Sequence, residues 1–123
     1  MREILFRGKA GAKWVYGDLR HLNDGRVTIE KDGEIYPYEV IPETVGQYTG
    51  LTDKNDKRIF EGDVVKVKSW YVVVFEDGAF GLKAYNKTNP VPLMGHMNFE
   101  GVMKRIKVIG NIHDNPELLE AKS

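Results

Sequence analysis

Short apolar runs that alternate with polar residues, each closed by an Asn, Asp or Gly pair, constrain the fold of this chain more than any other feature. In a strand successive side chains point to opposite faces, so alternation marks a ribbon with one dry and one wet side. Ile4 and Phe6 flank Leu5 as a first short strand. Residues 8–13, with two glycines and two lysines, read as a mobile hairpin turn. Trp14-Val15-Tyr16 opens a second strand. Asn23-Asp24-Gly25 and Asp32-Gly33 are turn signals, because Asn and Asp tolerate left-handed backbone and Gly adopts it freely. The β-branched run Val27-Thr28-Ile29 lies between them. Residues 34–41 alternate again, and Pro37, which has no N–H to donate, marks a sheet edge or a bulge. This half reads as a β-meander.

Residues 42–50 form a transition in which Gly46 and Gly50 interrupt any regular pattern. Lys54-Asn55-Asp56-Lys57 is a polar turn, and Ile59-Phe60 leads into a second turn at Glu61-Gly62-Asp63. Val65 and Val67 alternate with Lys66 and Lys68, so the valines face the core and the lysines face water. Residues 71–75 lack alternation and fit a strand covered on both faces. Asp77-Gly78 turns the chain into a partner strand over 79–85. Residues 86–98, with Pro90, Pro92 and Gly95, read as a long loop. Residues 102–112 read as a final strand. Asn115-Pro116-Glu117 signals a short C-terminal helix. The expected core includes Val65, Val67, Val72, Val74, Phe75 and Ile106. The fold class is mainly β, in one domain spanning 1–123. Near Pro42 the chain could divide into an N-terminal meander (1–43) and a C-terminal barrel-like lobe (44–123).

Composition removes several function classes. A length of 123 residues suits one domain. Eighteen basic residues balance eighteen acidic ones, so no global field draws the chain to nucleic acid or anionic membrane, although a local basic face is compatible with that balance. With no cysteine there is no disulfide, thiol catalysis or thiolate-held metal, and a reducing compartment is favoured. The first residues lack the apolar run of a signal peptide, and no segment reaches membrane-spanning length.

Candidate chemistry is sparse. Asp53-Lys54-Asn55 opens like a calcium loop, but Lys57 and Arg58 occupy its fifth and sixth positions and Val64 its last. A plain polar turn is the better reading. Glu61 and Asp63 around Gly62 suit a tight turn more than an acid–base pair. His21, His96 and His113 have no metal-ligand spacing, and Ser69 and Ser123 lie in no nucleophile elbow. The glycine-rich residues 8–13 lack the closing Gly-Lys-Ser/Thr of a phosphate loop and precede a strand. Lys66, Lys68, Trp70 and Tyr71 interleave cations with aromatics, a pattern that can stack bases and track phosphates. With net charge at zero, a solvated lysine face beside core aromatics is the better reading. Lys104, Arg105 and Lys107 form a second basic stretch, whose face the sequence does not fix.

Three blocks carry a resemblance. Residues 40–51 read Val-Ile-Pro-Glu-Thr-Val-Gly-Gln-Tyr-Thr-Gly-Leu, followed by Asp53-Lys54-Asn55. Residues 59–65 read Ile-Phe-Glu-Gly-Asp-Val-Val, and residues 108–118 read Val-Ile-Gly-Asn-Ile-His-Asp-Asn-Pro-Glu-Leu. In this order, with the opening at residues 2–8, they resemble the YopX family of bacteriophage and prophage proteins. The resemblance implies a phage or prophage origin, a mainly β fold and a C-terminal lobe similar to a small SH3-like barrel. It implies no activity and no catalytic residues. The expectation is a non-catalytic binding or assembly module in the host cytoplasm, with no cofactor, no metal and no membrane. Its partner is expected to be a protein or a second copy, met through Leu93, Met94, Met97 and Phe99. The alternative is a nucleic-acid-binding protein that uses Lys66, Lys68, Trp70 and Tyr71.

Overall fold

The computed structural model describes residues 4–66, 70–84, 91–92 and 105–120. Antiparallel strands form two sheets, and the chain divides into two compact units, Met1–Tyr48 and Thr49–Ser123. The division falls inside a strand, beyond Pro42.

The first unit holds β1 (Phe6–Ala10), β2 (Lys13–His21), β3 (Val27–Glu30), β4 (Tyr38–Val40) and the start of β5 (Gly46–Thr52). Its strand order is β4-β3-β2-β1-β5. The β1–β2 turn is tighter than the expected loop over 8–13. Only Gly11 there has a left-handed backbone, at φ 68, and Lys9 and Ala10 pair with Trp14 and Lys13. Gly8 serves proximity rather than mobility, since a Cβ there would come within 3.0 Å of Val40 Cβ. β2 changes partners midway: Lys13 to Gly17 pair with β1, and Asp18 to His21 pair with β3. At that corner the Glu30 carbonyl occupies the space a Gly17 side chain would need.

The meander then curls back. Ile41 N–H donates to Lys9 O at 2.8 Å, and Lys9 N–H donates to Thr44 Oγ1 at 2.9 Å from a 3₁₀ turn, Pro42–Thr44. Val15, Val27, Ile29 and Val40 are enclosed as a core. Arg7 is buried with its guanidinium 4.7 Å from the centre of the Trp14 ring. The strand expected over 34–41 shortens to Tyr38–Val40, because Pro37 cannot donate to a ladder. Ile35 and Tyr36 consequently stand 88% and 79% exposed.

In the second unit the rest of β5 neighbours β6 (Arg58–Phe60). The glycines of β5 hid this strand from the sequence pattern. The other sheet has the order β10-β9-β8-β7-β11, from β7 (Asp63–Lys66), β8 (Trp70–Glu76), β9 (Ala79–Ala84), β10 (Val91–Pro92) and β11 (Lys107–Asn111). Glu117–Glu120 form one helical turn, α1. Among the described residues no pairing joins β10 to β11, so the sheet is open and the expected barrel closure is not seen.

Ile59, Val65, Val73, Phe80, Leu82, Ile106 and Val108 make the core of this unit, with Leu51 and Tyr71 packed against it. Val65 and Ile106 are fully buried, as expected. Val72 and Val74 are only half-buried, and Phe75 is 43% exposed. The reason is that β8 keeps the two-residue period its composition conceals: Val73 is the fully buried residue of the run. Phe75 lies near the strand end, edge-on to Phe80 with ring centres 4.8 Å apart. Val67 lies outside the described residues.

Candidate functional site

Strand register answers whether the two basic stretches share a face. Lys107 on β11 is opposite Lys66 on β7, and Lys66 is opposite Trp70 on β8. Residues directly opposite each other in antiparallel strands project from the same side of a sheet. Lys107, Lys66 and Trp70 therefore form one row across three strands. The next row is Val108, Val65 and Tyr71, which faces the core. Tyr71 is thus excluded from the cation–aromatic face on which the sequence placed it, since a one-residue step along a strand reverses the side.

Two local devices complete the site. The β7–β11 ladder shifts register between Val108 and Gly110, which leaves Ile109 as a bulge residue on the lysine side. Directly after it, Gly110 allows the following segment to lie close. A Cβ at Gly110 would come within 2.5 Å of Asn115 Oδ1 and 2.9 Å of Leu118 Cδ1. Asn115 Oδ1 accepts from Asn111 N–H at 3.2 Å, and Leu118 N–H donates to Asn115 O at 3.0 Å. These contacts fix Leu118 beside β11.

The second device is Asp53, 4% exposed. Its Oδ1 accepts from the Asn55 and Lys57 N–H groups at 2.8 and 2.9 Å, and its Oδ2 accepts from Val108 N–H at 2.9 Å. Burial alone would raise its pKa, but the three N–H donors and the Lys57 charge outweigh it and hold the carboxyl below the usual value. Lys54 N–H donates to Ile106 O at 3.0 Å, so the turn seats Lys54 against the start of β11.

Lys54, Lys66, Trp70, Arg105, Lys107, Ile109 and Leu118 together line a concavity of about 540 Å³. The four cations are exposed, while Trp70, Ile109 and Leu118 are half-buried. No carboxylate lines it among the described residues. Ion pairs among the described residues include Arg20–Glu30, Arg26–Asp24, Arg26–Glu39 and Lys83–Glu76, none of which involves a cation of this lining. The sequence marked Lys66 and Trp70 as candidates and Arg105 and Lys107 as a basic stretch of unfixed face, and it did not mark Lys54, Ile109 or Leu118. The Lys107-Val108 alternation repeats that of Lys66-Val65 and was the available signal. Lys68 and Lys104 lie outside the described residues, as do Leu93, Met94, Met97 and Phe99 of the expected partner surface.

The remaining motifs have structural work. Asp63, 2% exposed, accepts from Phe60 N–H at 2.7 Å, and Gly62 has φ 93, so Glu61-Gly62-Asp63 is a conformational turn. The Asp53 turn spends its carboxylate on backbone rather than on a cation. A groove in the first unit gathers Asp18, Glu30, Asp32 and Glu34 near Lys31. Even so, no three acidic or histidine side chains among the described residues are arranged to hold a metal. No helix among the described residues is long and apolar enough to cross a membrane.

The fold has a solved counterpart. The chain is similar to the crystal structure of protein EF1440 from Enterococcus faecalis, with a TM-score of 0.59 and 20% identity over 97% of this chain and 99% of that one. At that identity the likeness concerns the fold. Comparison with curated proteins gave no match. The blocks that frame the site, around Asp53, Gly62 and Gly110, all fall within residues 6–120, which match the family model described as YopX protein, and the chain belongs to the YopX family.

Proposed function

We propose that this chain is a phage- or prophage-encoded accessory protein of the host cytoplasm that acts by binding rather than catalysis, and that the cationic concavity of its second unit receives an anionic partner. In this reading the second unit is a variation on a small SH3-like barrel that offers a sheet face. One observation carries the reading: Lys66 and Lys107 are directly opposite each other, with Lys54 and Arg105 beside them and no carboxylate in the lining among the described residues. Like charges opposite each other on strands weaken a sheet, and a concentrated positive field attracts anions. The buried carboxylates best placed for acid–base chemistry, Asp53 and Asp63, are engaged by backbone N–H groups.

Inorganic polyphosphate titrated by calorimetry at low and near-physiological salt tests this. Saturable binding that weakens with salt and is lost in Lys66→Glu is the expected result. Polyphosphate binding that is absent at low salt, or unchanged in Lys66→Glu, would refute the reading.

A further inference from the structure

Resting on that reading of the cationic concavity as an anion site, we infer that its ligand is single-stranded nucleic acid, one base of which stacks on Trp70 while the flanking phosphates meet Lys54, Lys66, Arg105 and Lys107. A site for phosphate alone needs only the cations. This one adds an indole and two aliphatic side chains, Ile109 and Leu118, among them. Phosphates next to a flat apolar ring are what a nucleotide presents, and aromatic platforms within basic grooves hold unpaired bases without regard to sequence. An acidic peptide meets the indole only where it also carries an aromatic side chain, whereas every nucleotide brings both an anionic phosphate and a flat ring. In a duplex the bases are already stacked on one another, so only an unpaired base is free to meet the indole.

The geometry assigns separate roles along the row. Trp70 is one strand away from Lys66, and Lys66 is one strand away from Lys107. The row thus runs from the aromatic residue at one end to cations at the other, so a strand crossing the sheet places a base on β8 and phosphates over β7 and β11. Arg105, two residues before Lys107, and Lys54 from the Asp53 turn extend the cationic track. Ile109 and Leu118 give the sugar and base edge an apolar wall.

The test compares a twelve-nucleotide oligothymidylate, inorganic polyphosphate and polyglutamate, titrated into the full chain. Trp14→Phe leaves Trp70 as the one tryptophan for fluorescence. Anisotropy of labelled oligothymidylate on the unaltered chain gives affinity without relying on that variant. Oligothymidylate should quench Trp70 saturably, and Trp70→Ala should weaken its binding about tenfold while leaving polyphosphate affinity unchanged. The logarithm of affinity should fall with the logarithm of salt at a slope of about −2 to −3, as three or four phosphate contacts require for a single strand. If polyphosphate binds as tightly as oligothymidylate and Trp70→Ala affects neither, the nucleic-acid assignment fails while the anion site stands. Tighter binding of polyglutamate than of oligothymidylate likewise rejects it in favour of an acidic protein partner. If none of the three binds, the anion-site reading itself is wrong.

Discussion

Asp53 accounts for a motif that looked chemical in the sequence. Its carboxylate binds two N–H groups of its own turn and one from Val108, 55 residues away. Losing it leaves a buried N–H on β11 without an acceptor, so Asp53→Ala should cost about 2–4 kcal/mol, read by urea denaturation. The pH dependence follows from the lowered pKa. The stabilisation from Asp53 is complete above its unfolded value of about 3.8 and is lost as pH falls through the lower folded value. Wild type should therefore lose stability on acidification below about pH 4, and Asp53→Asn should show a shallower acid slope while being less stable at neutral pH. A variant as stable as wild type at pH 7 would mean that the carboxylate does not tie the turn to β11.

The edge formed by β7 and β11 shows what one-dimensional pattern can and cannot convey. Alternation at Val65-Lys66 gave the correct inward and outward faces, and turn chemistry located the hairpins at Gly25, Gly33 and Gly78. What it could not give was pairing. The proximity of Lys66 and Lys107 depends on a ladder between segments about 40 residues apart in sequence. The Ile109 bulge depends on a register shift that no local pattern encodes. β5 was missed because its glycines lower strand propensity, while tertiary packing overrides that preference. Tyr71 packs on the core, one residue on from Trp70, so of the two readings of this stretch only the alternative put it beside the lysines. Two substitutions test the edge. Lys66→Glu places a carboxylate opposite Lys107, which should raise stability by about 0.2–1 kcal/mol while weakening anion binding, a combination expected of a residue kept for ligand rather than for fold. Gly110→Ala forces Asn115 and Leu118 away and should destabilise by about 1–3 kcal/mol. A Gly110→Ala protein with unchanged stability would show that the α1 segment does not rest on β11.

The two units divide the work differently. The first, Met1–Tyr48, curls a meander around Val15, Val27, Ile29 and Val40, and its corner depends on Gly17, where any side chain meets the Glu30 carbonyl. Gly17→Ala should accordingly lower the melting temperature and broaden the amide spectrum of β2 and β3. The second, Thr49–Ser123, presents the cationic concavity. Net charge, zero for the chain, hid this concentration, since among the described residues no carboxylate lines the concavity. The most direct measurement of the site is an amide chemical-shift map of the full chain titrated with twelve-nucleotide oligothymidylate. Shifts are expected at Lys54, Lys66, Trp70 with its indole N–H, Lys107 and Ile109, with Trp14 and the β2–β3 amides unmoved. Shifts confined to the first unit, or none at concentrations where the oligonucleotide is in large excess, would contradict the assignment of this site.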